Sequence, residues 1–391
     1  MNFLFVASEN SIFDIPLALE HMGHTVTVLD EIPFRIMDLN YTLPLLPVQK
    51  ALQTQKYDYV ITYNYIPILS ELCATFQILY IAWVYDSPMT TLFHNSVFHS
   101  NNRIFIFDYA LYERLQQIHI PHIYYMPLAA NTSRINALSL SKEDKCTYSC
   151  DISFVGSLYE QNIYNTVHNE LPAEILVPLN HYLMHNLCSW GTVRPWPTLS
   201  PELTQYLLAK FPEQNSSIQD YELPPNIYLG LLYLSRKLAE MERLTVLNTL
   251  AEQFPIDLYT NSQSDNTLNL RKHAPVNYYT QLGKVYHFSK INLNITLPSI
   301  ETGIPLRIFD IMAHGGFVLT NYQKEIDCLF TPGKDIIVFH DLKELKEQAA
   351  YYLSHENERL SIASEGYHTV NALYSYDIQL KKILTICEQS T

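Results

Sequence analysis

The first 126 residues repeat one pattern, in which short apolar runs alternate with stretches of helical spacing. Residues 2–7 form an apolar run, residues 12–22 place apolar side chains at helical intervals, and residues 24–30 alternate between apolar and polar. Further strand-like runs follow at 57–63, 77–86, 103–107 and 122–126. Parallel sheets joined by crossover helices have this order of elements. The pattern therefore predicts a doubly wound α/β domain.

A second series of strands begins after the polar stretch 129–150, which is typical of an interdomain linker. Its first strand is predicted at 151–158, and residues 163–245, rich in Leu, Tyr, Asn and Pro, then interrupt the alternation as a helical insertion. The remaining elements are predicted as strands at 255–260, 276–282, 291–297, 317–321 and 335–340, and as helices at 305–314, 341–354, 356–373 and 376–388.

These elements divide the chain into two Rossmann-like domains, which a length of 391 residues can accommodate. Residues 1–145 form the first domain, and residues 146–375 form the second, which contains the insertion. The final helix, within residues 376–391, is expected to pack back on the first domain.

Composition limits the partners that the protein can have. Hydrophobic residues make up 48% and charged residues 16%, which gives two domains enough core and argues against disorder. The formal net charge of −14 argues against nucleic acid as the main partner, so any phosphate must be held by local cations. Since no basic flank precedes the first apolar run and no apolar stretch reaches about 18 residues, we expect a cytoplasmic protein without a membrane span.

Ligands of open parallel sheets bind outside the carboxyl ends of the strands, and this rule selects the loops that matter. In the second domain the rule points to Gly156 and Ser157, after the first strand, and to the segment before Pro305. In the first domain the rule points to the loop after the first strand. Its residues Glu9 and Asn10 are expected to line the side of the site that would hold an acceptor substrate.

The stretch ETGIPLRIFDIMAHGGFVLTN, residues 301–321, combines several features of an anion site. Pro305 suits the start of a helix, so Thr302 and Gly303 lie just ahead of free N–H groups that favour a diphosphate. Arg307 adds hydrogen-bond donors from the first turn of the helix. Asp310 lies one turn further on the same side, where its carboxylate can accept hydrogen bonds from both hydroxyl groups of a ribose. The spacing leaves a second interpretation open, in which Arg307 and Asp310 form a simple ion pair on one helix face.

Asp86 ends an apolar strand and precedes Ser-Pro. At the cleft its carboxylate would act as a general base toward an acceptor hydroxyl. The alternative, slightly favoured by the Ser-Pro that follows, is that Asp86 caps the next helix.

The C-terminal part of the chain resembles a known family. Residues 291–339 are similar to the C-terminal domain of group 1 glycosyltransferases, in the CgeB-like branch of spore-maturation proteins. The residues that carry the likeness are Asn292–Asn294, Gly303–Pro305, Arg307–Asp310, Gly315–Gly316 and Thr320, with weaker collinear similarity at 82–88, 153–159 and 354–370.

The resemblance implies a GT-B fold, in which two Rossmann-like domains face each other across a cleft. It also implies transfer of a hexosyl or N-acetylhexosaminyl group from a nucleotide diphosphate, expected to be a UDP-sugar, to a hydroxyl on a protein or glycan. By analogy Asp310 binds the donor ribose, Glu301 lies near the acid that approaches the donor sugar, and Asn294 belongs to the donor site.

Two departures from the family pattern affect this prediction. The loop Gly156–Glu160 lacks the basic residue that relatives use for the diphosphate, so Arg307 or Lys290 would have to supply the charge. Gln379 stands where many relatives carry arginine.

The same residues predict chemistry without a metal ion or other cofactor. The sequence has no Asp-x-Asp pair to hold a divalent metal on a diphosphate, and an arginine with a helix N-terminus can neutralise the leaving group instead. Two alternatives remain open, a nucleotide-sugar epimerase and a non-catalytic GT-B module that binds a sugar nucleotide or a partner.

Overall fold

The computed structural model describes residues 1–7, 11–30, 45–211, 222–263 and 270–389. They form two compact units, and helices and strands are numbered along the whole chain. Unit 1 takes its residues from Met1–Leu128, Thr198–Leu229 and Tyr376–Thr391, and unit 2 from Ala129–Pro197 and Gly230–Ser375.

Unit 1 is built on a six-stranded parallel sheet with the strand order β2-β1-β3-β4-β5-β6. Its strands are β1 Asn2–Val6, β2 Thr25–Leu29, β3 Tyr59–Tyr63, β4 Leu79–Val84, β5 Asn102–Ile106 and β6 Ile123–Tyr125. Its α-helices are α1 Asp14–His21, α2 Leu45–Thr54, α3 Pro67–Thr75, α4 Tyr109–Gln117, α9 Pro201–Lys210 and α16 Tyr376–Gln389. Strands β3 and β5 are buried along their whole length, as expected for parallel strands covered on both faces.

Unit 2 contains a second six-stranded parallel sheet, with the order β12-β11-β10-β7-β8-β9. Its strands are β7 Cys150–Val155, β8 Ile256–Tyr259, β9 Leu270–His273, β10 Ser289–Asn294, β11 Val318–Asn321 and β12 Ile337–Phe339. Its helices are α5 Thr132–Asn136, α6 Lys142–Tyr148, α7 Ile163–Val167, α8 Ala173–Asn186, α11 Leu282–Phe288, α12 Leu306–Ala313, α13 Ile326–Leu329, α14 Leu342–Ser354 and α15 Glu356–Leu373.

The longest helix of the described residues is α10, Pro225–Ala251, which belongs to unit 2 from Gly230 onward. Its apolar residues recur at helical spacing, and Val246, Leu247 and Leu250 are fully buried against the sheet. This packing fixes one face of α10 on β7 and β10, and so determines where its polar residues point.

Both sheets confirm the predicted α/β class, but one predicted strand is wrong. Residues 276–282 form turns that lead into α11, and the edge strand of this sheet is β9, which the pattern did not predict. Its sequence, LRKH, has only one apolar residue and so does not show the alternation of apolar and polar residues that marks a strand. The charges are matched instead by Asp257 on β8, which pairs with Arg271 at 2.5 Å and with His273 at 2.7 Å.

The units also differ from the predicted domain boundaries. The polar stretch 129–150 groups with unit 2, where Lys284 of α11 pairs with Asp144 of α6 at 2.8 Å. Residues 198–229 of the predicted insertion group with unit 1. Helix α16 also groups with unit 1, where the hydroxyl groups of Tyr376 and Tyr63 lie 3.0 Å apart. Within the described residues, no helix has the length and apolar character needed to cross a membrane.

Candidate active site

The strand order of unit 2 reverses between β7 and β10. In open parallel sheets such a reversal leaves a crevice outside the carboxyl ends of the two strands, where ligands bind. Gly156 directly follows β7 at this edge, and Asn294 is the last residue of β10. Two of the predicted site residues are therefore brought to the same crevice by the topology alone.

Gly156 has a positive φ of +154°, and the lack of a side chain matters there. A Cβ atom would lie 3.0 Å from Nη2 of Arg307 and 3.5 Å from Nη1 of Arg243. Two guanidinium groups therefore approach the bare backbone of this loop. Ser157 comes next, and its hydroxyl accepts a hydrogen bond of 2.9 Å from the backbone N–H of Tyr159.

Arg243, which the sequence pattern did not predict as a site residue, brings to the loop after β7 the positive charge that the loop itself lacks. It projects from α10, is 2% exposed, and donates through Nη1 to the carbonyl of Ser157. Its guanidinium group lies 4.6 Å from the ring centroid of Tyr159. Burial lowers the pKa of Arg243 to about 9, and the neighbouring Arg307 cation acts in the same direction, so the group remains protonated at neutral pH.

Arg307 lies in the first turn of α12, whose N-cap is Pro305. Nη1 of Arg307 donates to Oδ1 of Asn294 at 3.1 Å. The Asn294 side chain is held in turn, because its Nδ2 donates to Thr296 Oγ1 at 2.9 Å and to Thr320 Oγ1 at 2.8 Å. The arginine is thus fixed at the crevice by a fully buried asparagine.

Asp310 lies one helical turn beyond Arg307, and the two side chains have different neighbours. Oδ2 of Asp310 accepts from the Tyr278 hydroxyl at 3.4 Å, while Arg307 is turned toward Asn294 and Gly156. Arg307 therefore pairs with Asn294 and does not form a simple ion pair with Asp310 on one helix face.

The loop ahead of α12 is held by the residues that follow β11. Thr302 Oγ1 donates to Glu325 Oε1 at 2.8 Å, and the Gly303 carbonyl accepts from Gln323 Nε2 at 3.4 Å. Thr302 and Gly303 therefore lie just before the helix N-terminus, as predicted, in a loop of fixed shape.

Glu301 precedes this loop and is half-buried. Its Oε1 accepts a hydrogen bond of 2.8 Å from the indole N–H of Trp196, which belongs to the insertion. The partner of the predicted acid thus comes from the helical insertion.

Lys290 lies away from the crevice. It is the second residue of β10, at the opposite end of the strand from Asn294, about 13 Å away at the usual rise per residue. Its ammonium group pairs with Asp151 at 2.7 Å, near the start of β7. The charge that was assigned to Lys290 from sequence is supplied at the crevice by Arg243.

In unit 1, Asp86 follows β4 and is exposed. The amide of Asn64 holds it, since Nδ2 donates to Asp86 Oδ2 at 2.8 Å and Oδ1 accepts from the Asp86 N–H at 3.1 Å. The next helical turn, Thr90–Phe93, has Met89 as its N-cap, so the capping interpretation of Asp86 is wrong. Glu9 and Asn10 lie outside the described residues.

The crevice of unit 2 combines three features that together suit the diphosphate and the ribose of a nucleotide. Two arginines converge on the backbone at Gly156, a helix N-terminus follows a fixed loop, and a carboxylate lies one turn along that helix. Arginine forks and free N–H groups can neutralise and orient phosphate oxygens. The carboxylate of Asp310 is a suitable acceptor for ribose hydroxyl groups.

Comparison with known proteins agrees with this description. Residues 239–385 match the family described as glycosyl transferase-like. The spore protein CgeB of Bacillus subtilis (strain 168) is 28% identical over 145 residues, which cover 37% of this chain and 39% of that protein. The matched part thus spans about two fifths of that relative. The resemblance stated from the sequence is confirmed.

Solved structures show the fold of the whole chain. The UDP-forming α,α-trehalose-phosphate synthase of Burkholderia xenovorans has a TM-score of 0.54 at 9% identity, covering 100% of this chain and 99% of the other. A glycosyltransferase from Rickettsia africae ESF-5 has a TM-score of 0.53 at 12% identity, covering 100% and 98%. The predicted GT-B fold is confirmed.

Proposed function

We propose that this protein is a glycosyltransferase that moves a sugar from a UDP-sugar to a hydroxyl group on a protein or glycan. The observation that carries the proposal is the convergence of Arg243 and Arg307 on the backbone at Gly156, outside the strand reversal of unit 2. The glycosyl transferase-like match of residues 239–385 supports the same reaction class.

The two arginines account for the departure of the leaving group. Breaking the bond between the sugar and the diphosphate leaves negative charge on the diphosphate oxygens, and preorganised donors lower the barrier by stabilising that charge. Arg243 is already desolvated and oriented by the Ser157 carbonyl, so little reorganisation is needed. We therefore propose transfer without a metal ion.

The remaining residues are given roles by their positions. Asp310 would bind the ribose, and Glu301 would contact the donor sugar as the acid that precedes the fixed loop. Asp86, held by Asn64 at the carboxyl edge of unit 1, would accept the proton of the acceptor hydroxyl as general base. UDP is proposed as the nucleotide because a protein of the same fold is UDP-forming.

A thermal-shift screen of UDP, ADP, GDP and TDP, each with and without EDTA, tests the donor site. A ligand at about 100 times its Kd stabilises the folded state by about 2.7 kcal/mol, enough to raise the Tm by several degrees. We expect this shift from UDP, unchanged by EDTA and lost in Arg307→Met. A shift from none of the four nucleotides would overturn the proposal, and a shift that EDTA abolishes would overturn its metal-free form.

Product analysis with UDP-glucose, UDP-galactose and UDP-N-acetylglucosamine then separates the alternatives. Release of UDP with a new glycoside or free sugar supports the transferase. An isomerised donor without UDP release would identify an epimerase, and binding without any product would identify a non-catalytic module.

A further inference from the structure

The insertion sends one segment to the carboxyl edge of unit 2. We call residues 187–197, which follow α8, the strap. Strap and sheet edge line one small cavity, to which the strap contributes Ser189 and Arg194, and the loop after β10 contributes Pro298 and Glu301. The strap therefore lies beside the loop that carries the predicted acid.

The strap is anchored by a buried ion pair. Nη2 of Arg194 lies 2.6 Å from Oε1 of Glu242, and the two side chains are 12% and 0% exposed. The same Glu242 oxygen accepts from the backbone N–H of Cys188 at 3.0 Å, and Arg194 Nη1 donates to the carbonyl of Pro298 at 3.4 Å. Removing one partner of a buried pair leaves an uncompensated charge, so the anchor holds the strap in one place.

Glu242 directly precedes Arg243 on α10. Neighbouring residues of a helix point about 100° apart. One turn of α10 therefore presents the carboxylate of Glu242 to the strap and the guanidinium group of Arg243 to the loop at Gly156. The position of the strap is thereby fixed relative to the two arginines.

The far end of the strap is fixed as well. Pro197 passes so close to α10 that a Cβ atom at Gly230 would lie 2.1 Å from its carbonyl oxygen. Between the two fixed points, the indole N–H of Trp196 donates to Oε1 of Glu301 at 2.8 Å. This hydrogen bond to one oxygen restrains the rotation of the carboxylate, and so limits the directions in which the other oxygen can point.

We propose that Trp196 is a positioning residue for Glu301, and that Arg194 and Glu242 hold it in place. The inference rests on the proposed function, since it assigns Glu301 to the donor sugar. The strap aims the carboxylate at the sugar, while the nucleotide is bound by Arg243, Arg307 and Asp310. Loss of the indole N–H then slows turnover of the sugar nucleotide and leaves the affinity for UDP itself unchanged.

The test compares Trp196→Phe, which keeps an aromatic ring and removes the N–H, with Tyr182→Phe as matched control. The Tyr182 hydroxyl donates to the carbonyl of Pro195 at 3.2 Å, so the control removes another hydrogen bond to the strap without touching Glu301. UDP release from UDP-glucose, UDP-galactose and UDP-N-acetylglucosamine gives kcat, and calorimetry gives the Kd for UDP. We expect kcat to fall about tenfold in Trp196→Phe, the usual cost of a hydrogen bond to a charged group, with the Kd for UDP within about twofold of wild type.

A double-mutant cycle with Glu301→Gln shows whether Trp196 acts through Glu301. If it does, adding Trp196→Phe to Glu301→Gln lowers kcat by less than about twofold, because the two effects are not additive. An equal loss in both backgrounds, or a loss matched by Tyr182→Phe, overturns the positioning role while the transferase proposal stands. A wild-type protein that releases UDP from none of the three donors overturns both.

Discussion

The guanidinium groups of Arg243 and Arg307 lie over the same ring, at 5.3 and 5.5 Å from the centroid of Phe154. Phe154 belongs to β7, so the ring stands on the sheet at the strand reversal. Two like charges are held together by the negative face of an aromatic ring and by backbone carbonyls. A bound diphosphate would relieve the repulsion between them, which is the electrostatic basis for each prediction about the crevice.

Arg243→Met is expected to weaken UDP binding about 10- to 100-fold, because it removes a charge-assisted contact from a desolvated site. The control is Arg271→Met, which removes an arginine of β9 that is more than half exposed and pairs with Asp257. Isothermal titration calorimetry with UDP measures both variants. Equal affinities for wild type and Arg243→Met would remove Arg243 from the donor site.

Gly156→Ala tests the close approach of the backbone to the arginines. The added Cβ meets both guanidinium groups at 3.0 and 3.5 Å and also strains a residue with positive φ. Gly333→Ala is the matched control, since Gly333 has a φ of +80° with no heavy atom within 4 Å of the added Cβ. Urea unfolding should show a similar loss in both, about 1–3 kcal/mol, while only Gly156→Ala weakens UDP binding. If Gly333→Ala loses UDP affinity equally, the effect at Gly156 is one of stability alone.

Asp86→Asn separates the acceptor reaction from donor binding. Loss of a general base lowers the transfer rate roughly 100- to 10,000-fold, whereas the Kd for UDP should stay at the wild-type value. Asp58→Asn is the control, because Asp58 accepts from the Asn2 N–H at 2.7 Å, just before β3 and at the opposite end of the strand from Asn64. The transfer rate is measured as the rate at which the glycoside product forms. An unchanged rate in Asp86→Asn would rule out the general-base role.

His314, at the end of α12, gives the folded protein a pH dependence. Burial lowers its pKa to about 4 from the usual 6.5 of histidine, and Nδ1 lies 2.7 Å from the carbonyl oxygen of Asp310. The unfolded chain therefore binds the proton first, so the free energy of unfolding falls as pH drops from about 6.5 to 4. The loss attributable to His314 is about 2 kcal/mol at pH 5 relative to pH 7. Urea unfolding at the two pH values measures it.

His314→Gln should remove this part of the pH dependence, and His340→Gln, at an exposed histidine, should keep it. A pH dependence in His314→Gln equal to that of wild type would show that other groups are responsible.

The sequence was most informative where the site is local. Pro305, Arg307 and Asp310 lie within two turns of one helix, so spacing and helix geometry were enough to predict α12 and its polar face. The strand reversal that locates the crevice depends on the order of strands in the sheet, which the alternation of apolar runs does not specify.

Arg243 could not be found in this way. It reaches the loop at Gly156 only because Val246 and Leu247, on the same helix, pack α10 onto the sheet. The insertion separates it in sequence from that loop, and an arginine within a long helix is ordinarily solvated. Lys290 was assigned wrongly for a related reason, since proximity to Asn294 in sequence is not proximity at one edge of a sheet.

The hydrogen bond from Arg243 to the Ser157 carbonyl has a consequence for how such a chain can vary. The chain leaves the sheet after Ser157 and comes back beside Ser157 at Arg243, so the two ends of this segment already meet. A shorter chain could join them with one turn and keep both arginines on Phe154, but it would have no Trp196 at Glu301. The segment between Ser157 and Arg243 can therefore change in length without moving the two arginines, and each change alters what surrounds Glu301.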